Sequence, residues 1–373
     1  MERLDYRNNF PVTRNLTYLS HAGVSPVSLR VKTAVETFLE ESTEYGIVAL
    51  EKWVSRADKI REKIAEFIGA QKEEIAFVRS TSHGLSLVAE GIDWQAGDNV
   101  VTASCEFPAN LYPWMNLDRR GVETRLVDPK KGEIHLQDLL ERVDSHTRLI
   151  SLSWVQYQNG FRADLMEIGT FCRSKGIFFC VDGIQGVGAL PIDLSNLPVD
   201  FLSADGHKWL LAPEGIGFLY LSKRVMDRIH PVIVGWHSVK NALDFEHIDF
   251  TLREDACKFE EGSPSMLGIF ALGAAVELLS EVGIHMIWEQ IHALNDRATE
   301  GLRMKKYEIL SPLDEEKRSG ILTFRSDHDS PSKLFRQLTE AGFVVAVRGG
   351  GIRISPHFYN TIDEIERFLE ILF

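Results

Sequence analysis

Between residues 74 and 222 short apolar runs alternate with amphipathic stretches, and this alternation constrains the fold more than any other feature. The runs lie at 74–79, 99–103, 123–127, 149–154, 177–181, 201–203 and 216–221, and several are rich in Val, Ile and Phe at consecutive positions. Strands that are apolar on both faces belong inside a mostly parallel sheet covered on both sides. The segments between them carry helical spacing. In 163–175, Leu165, Ile168, Phe171 and Cys172 fall on one face. The pattern predicts a three-layer α/β unit.

Beyond about residue 250 the pattern changes. Two long helices are expected at 263–282 and 284–304, then a strand at 320–325, a helix at 332–341, and strands at 344–347 and 352–355. The last helix opens with the capping box Thr361-x-x-Glu364 and sets Ile362, Ile365, Leu369 and Leu372 on one face. This is an α+β pattern. A chain of 373 residues is long for one core and suits a large domain with a smaller one. The expected division is 16–250 and 251–373, with residues 1–15 packing on the second unit.

Charge and composition narrow the function classes. Acidic residues outnumber basic ones, 54 to 41, for a net charge of −13, and a field of that sign repels nucleic-acid phosphates. The best apolar run, 269–279, contains Glu277 and falls short of the roughly 20 residues that span a bilayer. The start, MERLDYRNNF, has no apolar signal core, and Cys105, Cys172, Cys180 and Cys257 form neither a CxxC pair nor a zinc spacing. A cytoplasmic chain with reduced thiols, no metal, and neither nucleic-acid nor membrane partners is the expectation.

Five segments carry candidate chemistry. Gly206-His207-Lys208 follows a strand, where a lysine either lies in a solvated turn or points into a cleft as a nucleophilic amine. Asp182 ends an apolar strand three residues before Gln185; it either caps the next helix or faces a cationic ligand such as a protonated pyridine. Ser80-Thr81-Ser82-His83 precedes a helical pattern, as an ordinary cap or as a phosphate site. Phe107, in Cys105-Glu106-Phe107-Pro108, is a core aromatic or a stacking ring. Arg348 and Arg353 flank three glycines, as a solvated hairpin or as a carboxylate fork.

In this order the segments resemble the class V aminotransferase family of pyridoxal-phosphate enzymes, fold type I, from about Tyr18 to the C-terminus. The specific part is Asp182-x-x-Gln185 followed, 26 residues after Asp182, by Lys208. The resemblance implies a three-layer large domain with a mostly parallel mixed sheet and a smaller α+β domain. It implies that Lys208 forms a Schiff base with pyridoxal 5′-phosphate and then moves the proton at the substrate α-carbon. Asp182 would pair with the ring nitrogen and Gln185 with the ring oxygen. Thr81, Ser82 and His207 would hold the phosphate. Phe107 stands where many relatives stack a histidine on the cofactor ring, and Tyr157, where many have asparagine, would hydrogen-bond the ring oxygen. Ser263 resembles the residue that reaches a neighbouring subunit's phosphate, which implies a homodimer with sites at its interface. Arg353 would take the substrate carboxylate, with Arg348 and the backbone around His21 and Ala22 lining the same pocket.

Two departures bear on the reaction. Desulfurases of this family carry a nucleophilic cysteine on a loop near the C-terminal arginines, and no cysteine lies beyond Cys257 here. Asp205 stands where many relatives have serine, and is expected to point at His207. The leading expectation is an aminotransferase acting on a small amino acid. The alternative is a C–S lyase or desulfurase-like β-eliminase without a loop cysteine. A cofactor-binding relic that regulates a partner is a third class, which the retained Asp182, Gln185 and Lys208 disfavour.

Overall fold

A computed structural model describes residues 6–372. A short strand β1 (Thr17–Tyr18) precedes helices α1 (Leu29–Tyr45) and α2 (Leu50–Ile68). Ser28 caps α1 by accepting from the Val31 N–H, and α2 buries Trp53, Ala57, Ile60, Ile64 and Ile68 along one stripe. Both helices precede residue 74, where the regular alternation begins, and neither is among the expected elements.

The main sheet follows: β2 (Ile75–Val78), α3 (Thr81–Gly91), β3 (Asn99–Ala103), β4 (Glu123–Val127), β5 (Thr147–Ser153), α4 (Leu165–Lys175), β6 (Phe178–Asp182), β7 (Phe201–Asp205) and β8 (Gly217–Leu221). All seven expected runs are strands, two with the expected bounds and five with bounds moved by one or two residues. Their spatial order is β2-β8-β7-β6-β5-β3-β4, parallel from β7 to β4, with β8 antiparallel to both its neighbours. Strands β2, β3, β6, β7 and β8 are buried at every position, as their two-sided apolar character requires. Phe179 and Val181 face one core, Phe178 and Cys180 the other.

The rest comprises α5 (Met266–Val282), α6 (Ile284–Met304), β9 (Glu308–Ile309), β10 (Leu322–Arg325), α7 (Pro331–Glu340), β11 (Phe343–Val344), β12 (Ala346–Arg348), β13 (Gly351–Ile354) and α8 (Ile362–Ile371). Strands β12-β13-β10-β9 form an antiparallel sheet. The strand expected at 344–347 is two strands, because β11 leaves that sheet to pair with β1. Helix α5 packs against α1 and α2 in the first core. Along α6, Ile287 and Ile291 join that core and Leu294, Ala298 and Leu302 the C-terminal one. The chain therefore passes between cores within α6, well after residue 250.

Of the N-terminal segment, residues 1–5 lie outside the described residues. Arg7 pairs with Glu364 at 2.7 Å, and Phe10 stacks on Tyr359 at 3.9 Å between centroids, so this segment meets the C-terminal one. No single helix among the described residues is long and apolar enough to cross a membrane.

Candidate active site

The parallel strands β3, β5, β6 and β7 end on one edge of the sheet, and the chain after each must turn there. These turns, the start of α3 and the β12–β13 hairpin surround a cleft of about 390 Å³.

One end of the cleft is the N-terminus of α3. Ser80 caps it, its hydroxyl accepting from His83 N–H at 3.1 Å. Thr81 Oγ1 accepts from Asp205 N–H at 3.0 Å, which ties the helix start to the end of β7, and Ser82 lines the same corner. Asp205 Oδ1 lies 3.0 Å from His207 Nδ1, although the pair is not aligned as a hydrogen bond. Asp205 thus faces His207, as expected. Free N–H groups and hydroxyls at a helix start form a site for a phosphate.

Asp182 closes β6 at the floor of the cleft, 2% exposed. Its Oδ1 accepts from Ile184 N–H at 3.0 Å, and it makes no ion pair among the described residues. Burial pushes its carboxyl well above the usual carboxylate range. Gln185 donates to the Ala22 carbonyl at 3.1 Å and accepts from Trp209 Nε1–H at 3.0 Å, which fixes the orientation of its amide. Phe107 and Tyr157 meet edge to face, centroids 5.3 Å apart, on the wall opposite.

Lys208 Nζ lies 5.7 Å from the Phe107 ring centre. Its main chain is held by Ser25, whose N–H donates to the His207 carbonyl at 2.8 Å and whose hydroxyl donates to the Lys208 carbonyl at 2.7 Å. Burial pushes the amine down to about 8, against the opposing pull of Asp182 and with help from the Arg353 charge. A lysine so shifted presents more of its neutral, nucleophilic form.

Arg353 and Arg348 share one face of the β12–β13 hairpin, because Ala346 stands opposite Arg353 and Gly351 opposite Arg348. Arg353 is 2% exposed and donates to the Tyr157 carbonyl at 2.6 Å, while its Nε has no partner. Burial and the neighbouring Arg348 push its pKa down to about 10. A buried guanidinium with a spare donor calls for an anion. Arg348 is exposed at the rim and donates to the Val347 carbonyl.

One residue expected at the pocket lies outside the cleft. His21 is fully buried behind it, its ring nitrogens 2.8 Å from the Ser355 carbonyl and 2.6 Å from the Tyr359 hydroxyl. Ala22, Gly23 and Val24 line the pocket instead. The turn after β1 sends His21 inward and leaves the next residues at the cleft. Ser263 is exposed in the loop before α5 and does not line the cleft of its own chain. Ser25, Trp209 and Glu106, which hold Lys208, Gln185 and Ser153, are not among the expected site residues.

The donor set fits pyridoxal phosphate. A helix start with hydroxyls suits its phosphate, an unpaired buried carboxylate its ring nitrogen, and a desolvated amine its aldehyde. Comparison with known proteins agrees. A probable cysteine desulfurase of Methanothermobacter thermautotrophicus is 32% identical, over 100% of this chain and 98% of that protein. An uncharacterized aminotransferase of Bacillus subtilis is 26% identical, over 99% and 98%. Among solved structures, an apo cysteine desulfurase of Thermococcus onnurineus superposes with a TM-score of 0.87 at 26% identity, over 98% and 96% of the two chains. The cystine C–S lyase C-DES, in complex with its product cysteine persulfide, superposes with a TM-score of 0.89 at 25% identity, over 97% and 98%. The family model for class V aminotransferases matches residues 17–368, and the chain belongs to that family of pyridoxal-phosphate enzymes.

Proposed function

We propose that this protein is a pyridoxal-phosphate lyase that breaks the carbon–sulfur bond of a small amino acid such as cystine, with no protein thiol taking part. The observation that carries this reading is the turn between the two arginines. Arg348 ends β12, and Gly349 and Gly350, with φ of 56° and 78°, return the chain directly into β13. A two-residue turn leaves no loop there to carry a cysteine. None of the four cysteines lines the cleft. Burial raises the pKa of each thiol, to about 12 for Cys105 and Cys257 and further for Cys172 and Cys180, so none is a ready nucleophile. The likeness to a cystine C–S lyase and to proteins named cysteine desulfurases supports sulfur chemistry over the transamination first expected.

Bound pyridoxal phosphate supplies a sink for the electron pair left when a bond to the substrate α-carbon breaks. In this reading Lys208 Nζ takes the α-proton. The Asp182 carboxylate keeps the ring nitrogen protonated. Arg353 grips the α-carboxylate and so fixes the direction of the α-C–H bond. Phe107 and Tyr157 form a wall against water. Loss of the proton releases the β-sulfur with the electron pair of the C–S bond. Water then takes the remaining three-carbon fragment to pyruvate and ammonium, and cystine yields cysteine persulfide.

A homodimer belongs to the same proposal. Ser263 is free to reach a second subunit, and Leu243, Phe245, Ile248 and Phe250 expose large apolar surface on one segment. The four free thiols support a reducing, cytoplasmic setting. The deciding experiment incubates the holoenzyme with a panel of amino acids. Pyruvate and ammonium released together with persulfide or sulfide are expected. Pyridoxamine phosphate formed without sulfur release would overturn the lyase in favour of a transaminase.

A further inference from the structure

Glu106 is 3% exposed, in the loop that follows β3, and the chemistry above does not use it. Four donors converge on it. Its Oε1 accepts from Ser153 N–H at 2.8 Å and from Gln156 Nε2 at 2.7 Å. Its Oε2 accepts from Asn110 Nδ2 at 3.0 Å and from the Ser153 hydroxyl. Asn110 is itself fixed, since its Oδ1 accepts from the Ser151 hydroxyl at 2.6 Å and from Trp114 Nε1 at 3.1 Å. Three of these are N–H donors, two on Oε1 and one on Oε2, which a carboxylate satisfies with both oxygens; the Ser153 hydroxyl can donate or accept. Burial, the larger effect, raises the Glu106 pKa above its ordinary value, and these four donors only partly offset it. Burying a charge is costly, and an apolar residue would hold two loops together more cheaply. What the carboxylate adds is a fixed geometry toward four donors of three residues at once.

Those partners belong to the walls of the cleft. Glu106 directly precedes Phe107, and Gln156 directly precedes Tyr157. Ser153 lines the cleft and stands opposite Asp182 in the β5–β6 register. From Tyr157 the chain of contacts continues to Arg353 through the Tyr157 carbonyl. We propose that Glu106 is a positioning residue: its carboxylate locks the loop after β3 to the loop after β5, and so fixes Phe107 and Tyr157 in place over Lys208. Glu106 touches neither cofactor nor substrate and acts through the two aromatic rings. The proposal rests on the cofactor reading of the cleft but not on which bond the enzyme breaks.

The test is Glu106→Gln in the pyridoxal-phosphate holoenzyme. An amide offers one acceptor oxygen where four donors wait, so the loops should separate. The variant is expected to bind cofactor and keep its far-ultraviolet circular dichroism. Its visible circular dichroism band, which reports how rigidly the cofactor ring is held, should fall by half or more. The rate of the spectral change on adding amino acid should drop at least tenfold at saturation. A purely structural role would lower the melting temperature and leave the visible band of the folded variant unchanged, and that result overturns the proposal. If Glu106→Gln does not fold, Gln156→Met carries the test, since it removes the Gln156 contacts with Glu106 and the Cys105 thiol and leaves the two Ser153 bonds in place. The same loss of the visible band is expected, and an unchanged band overturns the proposal. The visible band needs no turnover, so its outcome is separate from whether the parent enzyme releases sulfur.

Discussion

The Arg353 guanidinium donates through Nη1 to the Tyr157 carbonyl at 2.6 Å, tying β13 to the loop after β5 across the cleft. One arm of the fork is thereby fixed, and the rest is left for a ligand. Arg353→Lys keeps a positive charge but loses the planar fork. It should lower kcat/KM on the order of 10²-fold, about 3 kcal/mol of transition-state stabilisation, with the spectrum of bound cofactor unchanged. Arg348→Lys should cost less, because Arg348 is at the rim. Steady-state kinetics of the two variants check both expectations. An Arg353→Lys enzyme as fast as the parent would place the carboxylate elsewhere.

Lys208→Ala should leave a folded protein that takes up cofactor through its phosphate but does not turn over. Borohydride treatment of the parent holoenzyme should fix the cofactor to Lys208. Peptide mapping that finds the label on another lysine would refute the assignment.

Asp182→Asn removes the one buried negative charge at the end of β6 while keeping the shape and an acceptor for Ile184 N–H. Removal of the α-proton should slow by roughly 10²-fold or more. Rapid-mixing absorbance measurements test this, and near-normal rates would reduce Asp182 to a turn cap.

Replacing all four cysteines by serine or alanine should leave sulfur release per folded enzyme within about twofold of the parent. Selective loss of sulfur release with cofactor still bound would restore a thiol mechanism.

His357 sets a pH limit on stability. It is fully buried, its Nε2 donates to the Trp209 carbonyl at 3.0 Å, and its Nδ1 accepts from Phe358 N–H at 2.9 Å. A second ring proton would point at that N–H. Burial accordingly lowers its pKa to about 4, from 6.5 in an unfolded chain. Below pH 6.5 the unfolded chain takes up a proton that the folded protein refuses. The stability that His357 leaves intact above pH 6.5 is therefore lost as the pH falls toward 4, by about 3 kcal/mol in all. His21, also lowered by burial, adds to the loss in the same direction. Urea unfolding at pH 7 and pH 5 should give a lower midpoint at pH 5, and His357→Gln should flatten the difference.

Much of the site was legible because its residues sit at the ends of strands that the sequence marks clearly. Asp182 ends β6, Lys208 follows β7, and Thr81 opens α3, and each position is set by local pattern. Glu106 and Ser25 were not legible in this way. Their roles depend on partners at Ser153, Gln156, His207 and Lys208, which no local spacing announces.

The sequence by itself determined the strands of the main sheet, the burial of most of them on both faces, the order of the motifs and the lack of a cysteine near Arg353. All of these follow from residue type and short-range periodicity. Only the tertiary structure decided that α5 joins the first core, that His21 turns inward while Ala22 meets Gln185, and that Arg353 reaches Tyr157 across 196 residues of chain. The physical reason is that periodicity tells which face of an element is buried, not which distant element covers it. That second choice is made when the layers pack and every buried donor must find its acceptor.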